Sequence, residues 1–202
     1  MAEKGSTTEK PSREIVITRV FDAPRELVFK AWTDPKQMAR WWGPKGFTNP
    51  VCKLDARVGG AWHIVMRSPD GAEYPCGGVY REVVDPERLV FTNIATDKDG
   101  NPVIDGLTTV LFAEQGGKTK LTLQTRGTAV VDYAAAYLKG MEAGWSQSLE
   151  KLDDLLANEK GNVAASTADR EIVISRVFDA PRELVWKISW RISSRARASE
   201  PA

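Results

Sequence analysis

The order of hydrophobic patterns predicts an α+β domain in which a curved antiparallel sheet wraps a long C-terminal helix, with two short helices after the first strand. Three observations predict it. A β-branched run from Ile15 to Phe21 is followed at once by helix-forming segments. A long middle section alternates short β-like runs with Gly, Pro and Asp turn signals. From Asp132 to Asn158 apolar residues then recur at spacings of three and four, the signature of one apolar helical stripe.

Taken in order, Ile15 to Phe21 reads as a strand flanked by charge. Asp22 and Pro24 read as a helix start, with Asp22 at the N-cap, Pro24 in the first turn and Glu26 close behind. Leu27, Val28 and Trp32 give that helix its apolar face. Asp34-Pro35 closes it and opens a second short helix whose Met38, Trp41 and Trp42 point inward, ended by Gly43-Pro44. Strands follow from Phe47 to Leu54 and, after Gly59-Gly60, from Ala61 to Arg67. In the latter, Trp62, Ile64 and Met66 alternate with Ala61, His63 and Val65. Ser68 to Gly71 is a turn. Tyr74 to Val84 is a strand whose Gly77-Gly78 predicts a bulge or a close backbone approach. Arg88 to Ile94 is the next, and Leu107 to Glu114 pairs with Lys118 to Arg126 across Gly116-Gly117. The helical stripe is Tyr137, Leu138, Met141, Trp145, Leu149, Leu152 and Leu156.

Composition narrows the function. The 202 residues carry 28 Lys+Arg against 27 Asp+Glu, a formal charge of +1, so the basic excess of a nucleic-acid binder is missing. No apolar run approaches the ~18 residues of a membrane span. The polar opening, Met1 to Ser12, reads as a tail and not as a signal or transit peptide. Two cysteines, Cys52 and Cys76, make no disulfide framework, and the expected compartment is a reducing cytoplasm. Those two thiols and the single His63 are too few for a structural zinc site, so no metal and no cofactor are expected. Neither glycine pair belongs to a phosphate-binding pattern.

The chain also repeats itself. REIVITRVFDAPRELVFK (Arg13 to Lys30) returns as REIVISRVFDAPRELVWK (Arg170 to Lys187), identical at 16 of 18 positions. The offset of 157 residues is about one domain length, which predicts one domain over residues 13–160 and a linker over 161–169. Residues 170–202 are expected to hold a partial copy of the domain's opening with a basic tail. A strand and helix start without their sheet bury little, so this copy is expected to be disordered or loosely docked.

RWWGPKGFT (Arg40 to Thr48), GGAWHIVMRSPDG (Gly59 to Gly71), GVYREVVDPERLVFT (Gly78 to Thr92) and GMEAGWSQSLEKLDDLL (Gly140 to Leu156) resemble, in order, the Hsp90 ATPase activator homologue (AHSA1-like) domain family. That family lies within the START/Bet v1-like (SRPBCC) superfamily. The resemblance spans Arg13 to Asn158 and implies the helix-grip fold, with an elongated cavity between sheet and long helix where small hydrophobic molecules bind. It also implies two alternatives: a chaperone partner, as for the co-chaperone that names the family, or cyclase- or hydrolase-type chemistry in the same cavity.

Candidate cavity-lining residues are Trp41, Trp42, Trp62, Ile64, Met66, Tyr74, Met141 and Trp145. Aromatic rings bury much area with few rotors to freeze, and methionine adapts to varied shapes. Each of these also suits plain core packing. His63 alternates out of phase with Trp62, Ile64 and Met66, which places it on the opposite face of its strand. With no visible nucleophile or orienting carboxylate beside it, no catalytic residue is assigned. The charged strand residues Arg67, Glu73, Arg81, Glu82 and Arg126 read as cross-strand pairs on the outer face. The expected function is non-catalytic binding of a small hydrophobic molecule.

Overall fold

A computed structural model describes residues 10–168, with residues 160–168 described by their backbone alone. The duplicated segment from Arg170 onward lies outside the described residues. The elements run β1 (Ser12–Phe21), α1 (Arg25–Thr33), α2 (Pro35–Trp41), β2 (Thr48–Leu54), β3 (Ala61–Arg67), β4 (Glu73–Val84), β5 (Arg88–Thr92), β6 (Ile94–Thr96), β7 (Pro102–Gln115), β8 (Lys118–Ala129) and α3 (Ala135–Ala168). The strands form one antiparallel sheet in the order β1-β8-β7-β5-β4-β3-β2, with β6 bridging β4 and β7. This is the helix-grip arrangement: a sheet around a long C-terminal helix, with two short helices after the first strand.

Several local expectations are revised. Pro24, not Asp22, occupies the N-cap of α1, and no side chain caps that helix. Asp34 caps α2, accepting hydrogen bonds from the backbone N–H of Lys36 and Gln37 at 2.8 and 3.1 Å. Leu27 is exposed, and the buried face of α1 is Val28, Phe29, Ala31 and Trp32. The strand expected from Arg88 to Ile94 breaks at Asn93. Gly77 and Gly78 are close approaches: a Cβ on Gly78 would stand 2.0 Å from the Thr92 carbonyl oxygen. The register shift of β4 falls later, between Tyr80 and Glu82. The final helix opens with a 3-10 turn, Asp132–Ala134, and continues through residues 161–168, where a linker was expected. Tyr137 leaves its stripe for solvent, edge-on to Tyr133.

Strand alternation sorts the β1 side chains: Ile15 and Phe21 are buried, Val16 and Val20 exposed. Two arginines on β1 tie it to α3. Arg13 donates to the Lys139 carbonyl at 2.9 Å and pairs with Glu142 at 2.8 Å, while Arg19 reaches Glu150 at 3.3 Å. On the sheet, Arg67 pairs with Glu73 at 2.7 Å, and Glu82 pairs with Arg88.

The core is aromatic. Trp32, fully buried, lies 4.6 Å from Trp41, 6.1 Å from Phe112 and 6.1 Å from Trp145, with which it is nearly parallel at 14°. Trp42 meets Trp62 at 5.3 Å and Trp145 at 5.0 Å. Pairs of this kind contribute about 0.5–1.5 kcal/mol each beyond their buried area. Leu149, Leu152, Leu155 and Leu156 complete this end of the helix.

A cavity between the sheet and the long helix

The inner faces of β7 and β8 shrink steadily along their length. Their inward cross-strand pairs run Phe112–Leu121, Val110–Leu123, Thr108–Thr125 and Gly106–Gly127. The first two pairs fill the space beneath the C-terminal half of α3. The buried threonine hydroxyls satisfy each other at 2.8 Å. At the glycine pair no side chain rises from the sheet; Met141 and Leu138 close over Gly127, and the space beside them stays open.

That space is a cavity of about 220 Å³ between the sheet and the first half of α3. Met141, Gly144, Trp145 and Ser148 form its helix wall, and Met66, Cys76, Ala95 and Ile104 line the sheet with the glycines. Trp42, Gly43 and Pro44, between α2 and β2, make the third wall.

Helix α3 holds that loop in place. The Lys151 ammonium donates to the carbonyls of Trp42 and Gly43 at 3.2 and 3.3 Å, and also reaches Pro44 and Phe47. Burial lowers the pKa of this lysine. The Lys45 N–H donates to Gln147 Oε1 at 3.0 Å, and its ammonium pairs with Glu150 at 2.7 Å. Gln147, Glu150 and Lys151, on about one turn of α3, therefore fix the loop that carries Trp42.

Of the eight residues expected to line a cavity, Trp42, Met66, Met141 and Trp145 do so. The other four stand elsewhere. Trp41 is fully buried against Trp32 and donates its indole N–H to the Ala31 carbonyl at 2.9 Å. Ile64 is fully buried, in register between Cys52 and Cys76. Trp62 packs between Trp42 and Phe91 and donates to the Thr92 carbonyl at 3.0 Å. Tyr74 is 39% exposed, with its ring against Phe47. Sequence reasoning missed the small residues that leave the space empty, Gly106, Gly127 and Gly144, and the polar Asn93, Thr125 and Ser148. Glycines at inward positions of two neighbouring strands, Gly106 and Gly127, were the available signal.

Burial pushes the Cys76 thiol up to about 12 and the partly buried Cys52 thiol up to about 11, so both are protonated at neutral pH. The neighbouring Trp42 indole offsets only part of the rise at Cys76. Arg126 borders the cavity, but on β8 it alternates with buried Thr125 and Gly127 and takes the outer face. His63 is likewise exposed on the outer face of β3. Among the described residues no group of three or more His, Cys, Asp and Glu is placed to hold a metal ion. None of the described helices is long and apolar enough to cross a membrane.

Comparison with known proteins agrees with this architecture. Similar solved structures include a protein of Chromobacterium violaceum, 33% identical, covering 71% of this chain and 96% of its own, with a TM-score of 0.59. Another is the AHSA1 protein of Silicibacter pomeroyi, 27% identical over 73% and 99% of the two chains at a TM-score of 0.60. A third, from Nitrosomonas europaea, is 25% identical over 73% and 96% at a TM-score of 0.61. A search of the curated proteins finds no match. The model of the family described as "Activator of Hsp90 ATPase homolog 1-like protein" matches residues 22–157, and the chain belongs to that family.

Proposed function

We propose that the protein binds a small hydrophobic molecule in the cavity between the sheet and α3 and does not transform it. One observation carries this reading: the sheet is reduced to the Gly106–Gly127 pair beneath a helix that presents Met141 and Trp145, which leaves about 220 Å³ of mostly apolar space. Close-packed interiors keep few voids larger than a water molecule. A concave, mostly apolar space with a few polar groups is the usual form of a small-molecule site. The ionisable side chain directed into the space, Cys76, is held neutral, which favours binding over acid–base chemistry.

Native mass spectrometry of the purified protein, followed by denaturing extraction, tests this. A near-stoichiometric apolar adduct is the expected result. A clean apo mass, together with no heat on titration with naphthalene or 2-naphthol, would refute it. The family membership favours a second reading, an interaction with a chaperone of the Hsp90 class. Stimulation of a cognate Hsp90 ATPase in a coupled assay supports that reading, and absence of both stimulation and binding removes it.

A further inference from the structure

The cavity wall contains one polar side chain that the protein leaves unpaired. The inward series on β5 and β6 runs Leu89, Phe91, Asn93 and Ala95, so Asn93 takes an inner-face position, and it lines the cavity. Its backbone N–H donates to the Gly106 carbonyl at 2.8 Å. Its side-chain amide has no hydrogen-bond partner among the described residues. The other polar groups here are engaged. Ser148 donates to the Gly144 carbonyl at 2.9 Å, and Thr125 shares its hydrogen bond with Thr108.

The neighbouring backbone explains how Asn93 comes to face inward. The ladder between β4 and β5 stops short of it because the Thr92 carbonyl accepts from the Trp62 indole. The Thr92 hydroxyl accepts from the Val79 N–H at 2.9 Å. Gly106 must be glycine at this point: a Cβ there would stand 2.7 Å from the Arg126 carbonyl oxygen and 3.1 Å from that of Asn93. The break at Asn93 is thus built into the sheet by Trp62, Thr92 and Gly106.

We infer that Asn93 is the polar anchor of the cavity, and that the ligand is an uncharged compact molecule of one or two rings bearing a single hydroxyl or carbonyl group. This rests on the binding reading above. The size limit comes from the volume. About 220 Å³ exceeds the roughly 150 Å³ that holds a benzene ring and falls below the roughly 300–1,000 Å³ of pockets for drug-sized ligands. A long acyl chain or a sterol exceeds that volume. Neutrality follows from the walls. Arg126 borders the space but its side chain takes the outer face of β8, and an ionised group moved to the inner face would lose its hydration without compensation. An amide is the complement of a neutral hydroxyl or carbonyl, because it both donates and accepts.

Calorimetric titration with naphthalene, 2-naphthol and palmitate tests the inference. The wild type is expected to bind 2-naphthol about three- to tenfold more tightly than naphthalene, the ratio one net hydrogen bond gives. Palmitate is expected not to bind. Asn93→Leu is expected to abolish the preference and leave naphthalene affinity unchanged or improved. The three wild-type titrations decide the matter even where that variant does not fold. Equal affinity for the two ring compounds overturns the anchor while the cavity reading survives, and tight palmitate binding overturns the size class. Binding of none of the three removes the cavity reading itself and this inference with it.

Discussion

Alanine at Gly144 is expected to stabilise the free protein and weaken ligand binding at the same time. Gly144 lies within α3, faces the cavity, and a Cβ built on it meets only Pro44 Cγ at 4.0 Å, an ordinary contact. The methyl group therefore enters open space. Gly→Ala in a helix interior gains about 1 kcal/mol from reduced unfolded-state freedom and better propensity. For a chain of this size that corresponds to a rise of about 2–4 °C in Tm. The same methyl occupies volume the ligand needs.

Gly140 supplies the control, since it lies on the same helix with nothing within 4 Å of its Cβ position and does not line the cavity. Gly140→Ala is expected to stabilise by about the same 1 kcal/mol with unchanged 2-naphthol affinity. Gly106→Ala has the opposite sign. Its Cβ would press on backbone carbonyls at 2.7 and 3.1 Å, and forcing strands apart costs about 1–3 kcal/mol. Gly127→Ala stands between, because its contacts at 3.0 and 3.1 Å are the flexible ends of Met141 and Leu138. Urea unfolding followed by tryptophan fluorescence gives the stabilities, and calorimetry gives the affinities. If Gly144→Ala destabilised the protein, or if it left 2-naphthol affinity as intact as Gly140→Ala does, the cavity would be wrongly placed.

Three further outcomes are expected. Thr125→Val strands the buried Thr108 hydroxyl and should cost about 1–3 kcal/mol, whereas the double variant Thr108→Val/Thr125→Val should recover most of that loss in the urea midpoint; equal cost for single and double would count against mutual satisfaction. Both thiols are raised from 9.0, so above about pH 9 the unfolded chain releases protons that the folded protein retains, and stability should fall as pH climbs through that range. Cys52→Ala/Cys76→Ala should reduce that slope in a pH series of urea melts, leaving the fall from the Tyr80 phenol, which burial also raises, against the opposite slope of Lys151, whose lowered pKa makes stability rise toward 10.5. In hydrogen exchange, residues 141–148 beside the cavity should exchange faster than residues 149–156, and saturating 2-naphthol should slow the first group more; uniform protection would show that the ligand binds elsewhere.

Most of the architecture was legible because it rests on periodicity. The alternation of Trp62, Ile64 and Met66 and the α3 spacing of Leu138, Trp145, Leu149, Leu152 and Leu156 each fix a buried face without tertiary knowledge. The cavity was half legible, and the misses share a cause. Sequence reasoning looked for large apolar side chains, but a void is made by their absence. Trp41, Trp62 and Ile64 fill space at the packed end, while Gly106, Gly127 and Gly144 leave it empty at the other. The break at Asn93 was out of reach for a different reason. It depends on the indole of Trp62, 30 residues away, donating to the Thr92 carbonyl.

The two ends of the domain explain each other. The space is partly open to solvent, and the apolar groups that line it would gain contacts if it closed. Five tryptophans with Phe91 and Phe112 pack the opposite end, and both ends bear on one helix. Trp145 belongs to both, nearly parallel to Trp32 on one side and lining the cavity on the other. A rigid aromatic cluster seats α3 firmly enough to hold its first half over an open floor. The three clamps from Gln147, Glu150 and Lys151 keep the Trp42 loop from collapsing into it. Met141 already lies over Gly127, so the placing of Trp145 and of the Trp42 loop is what keeps the rest of the space open.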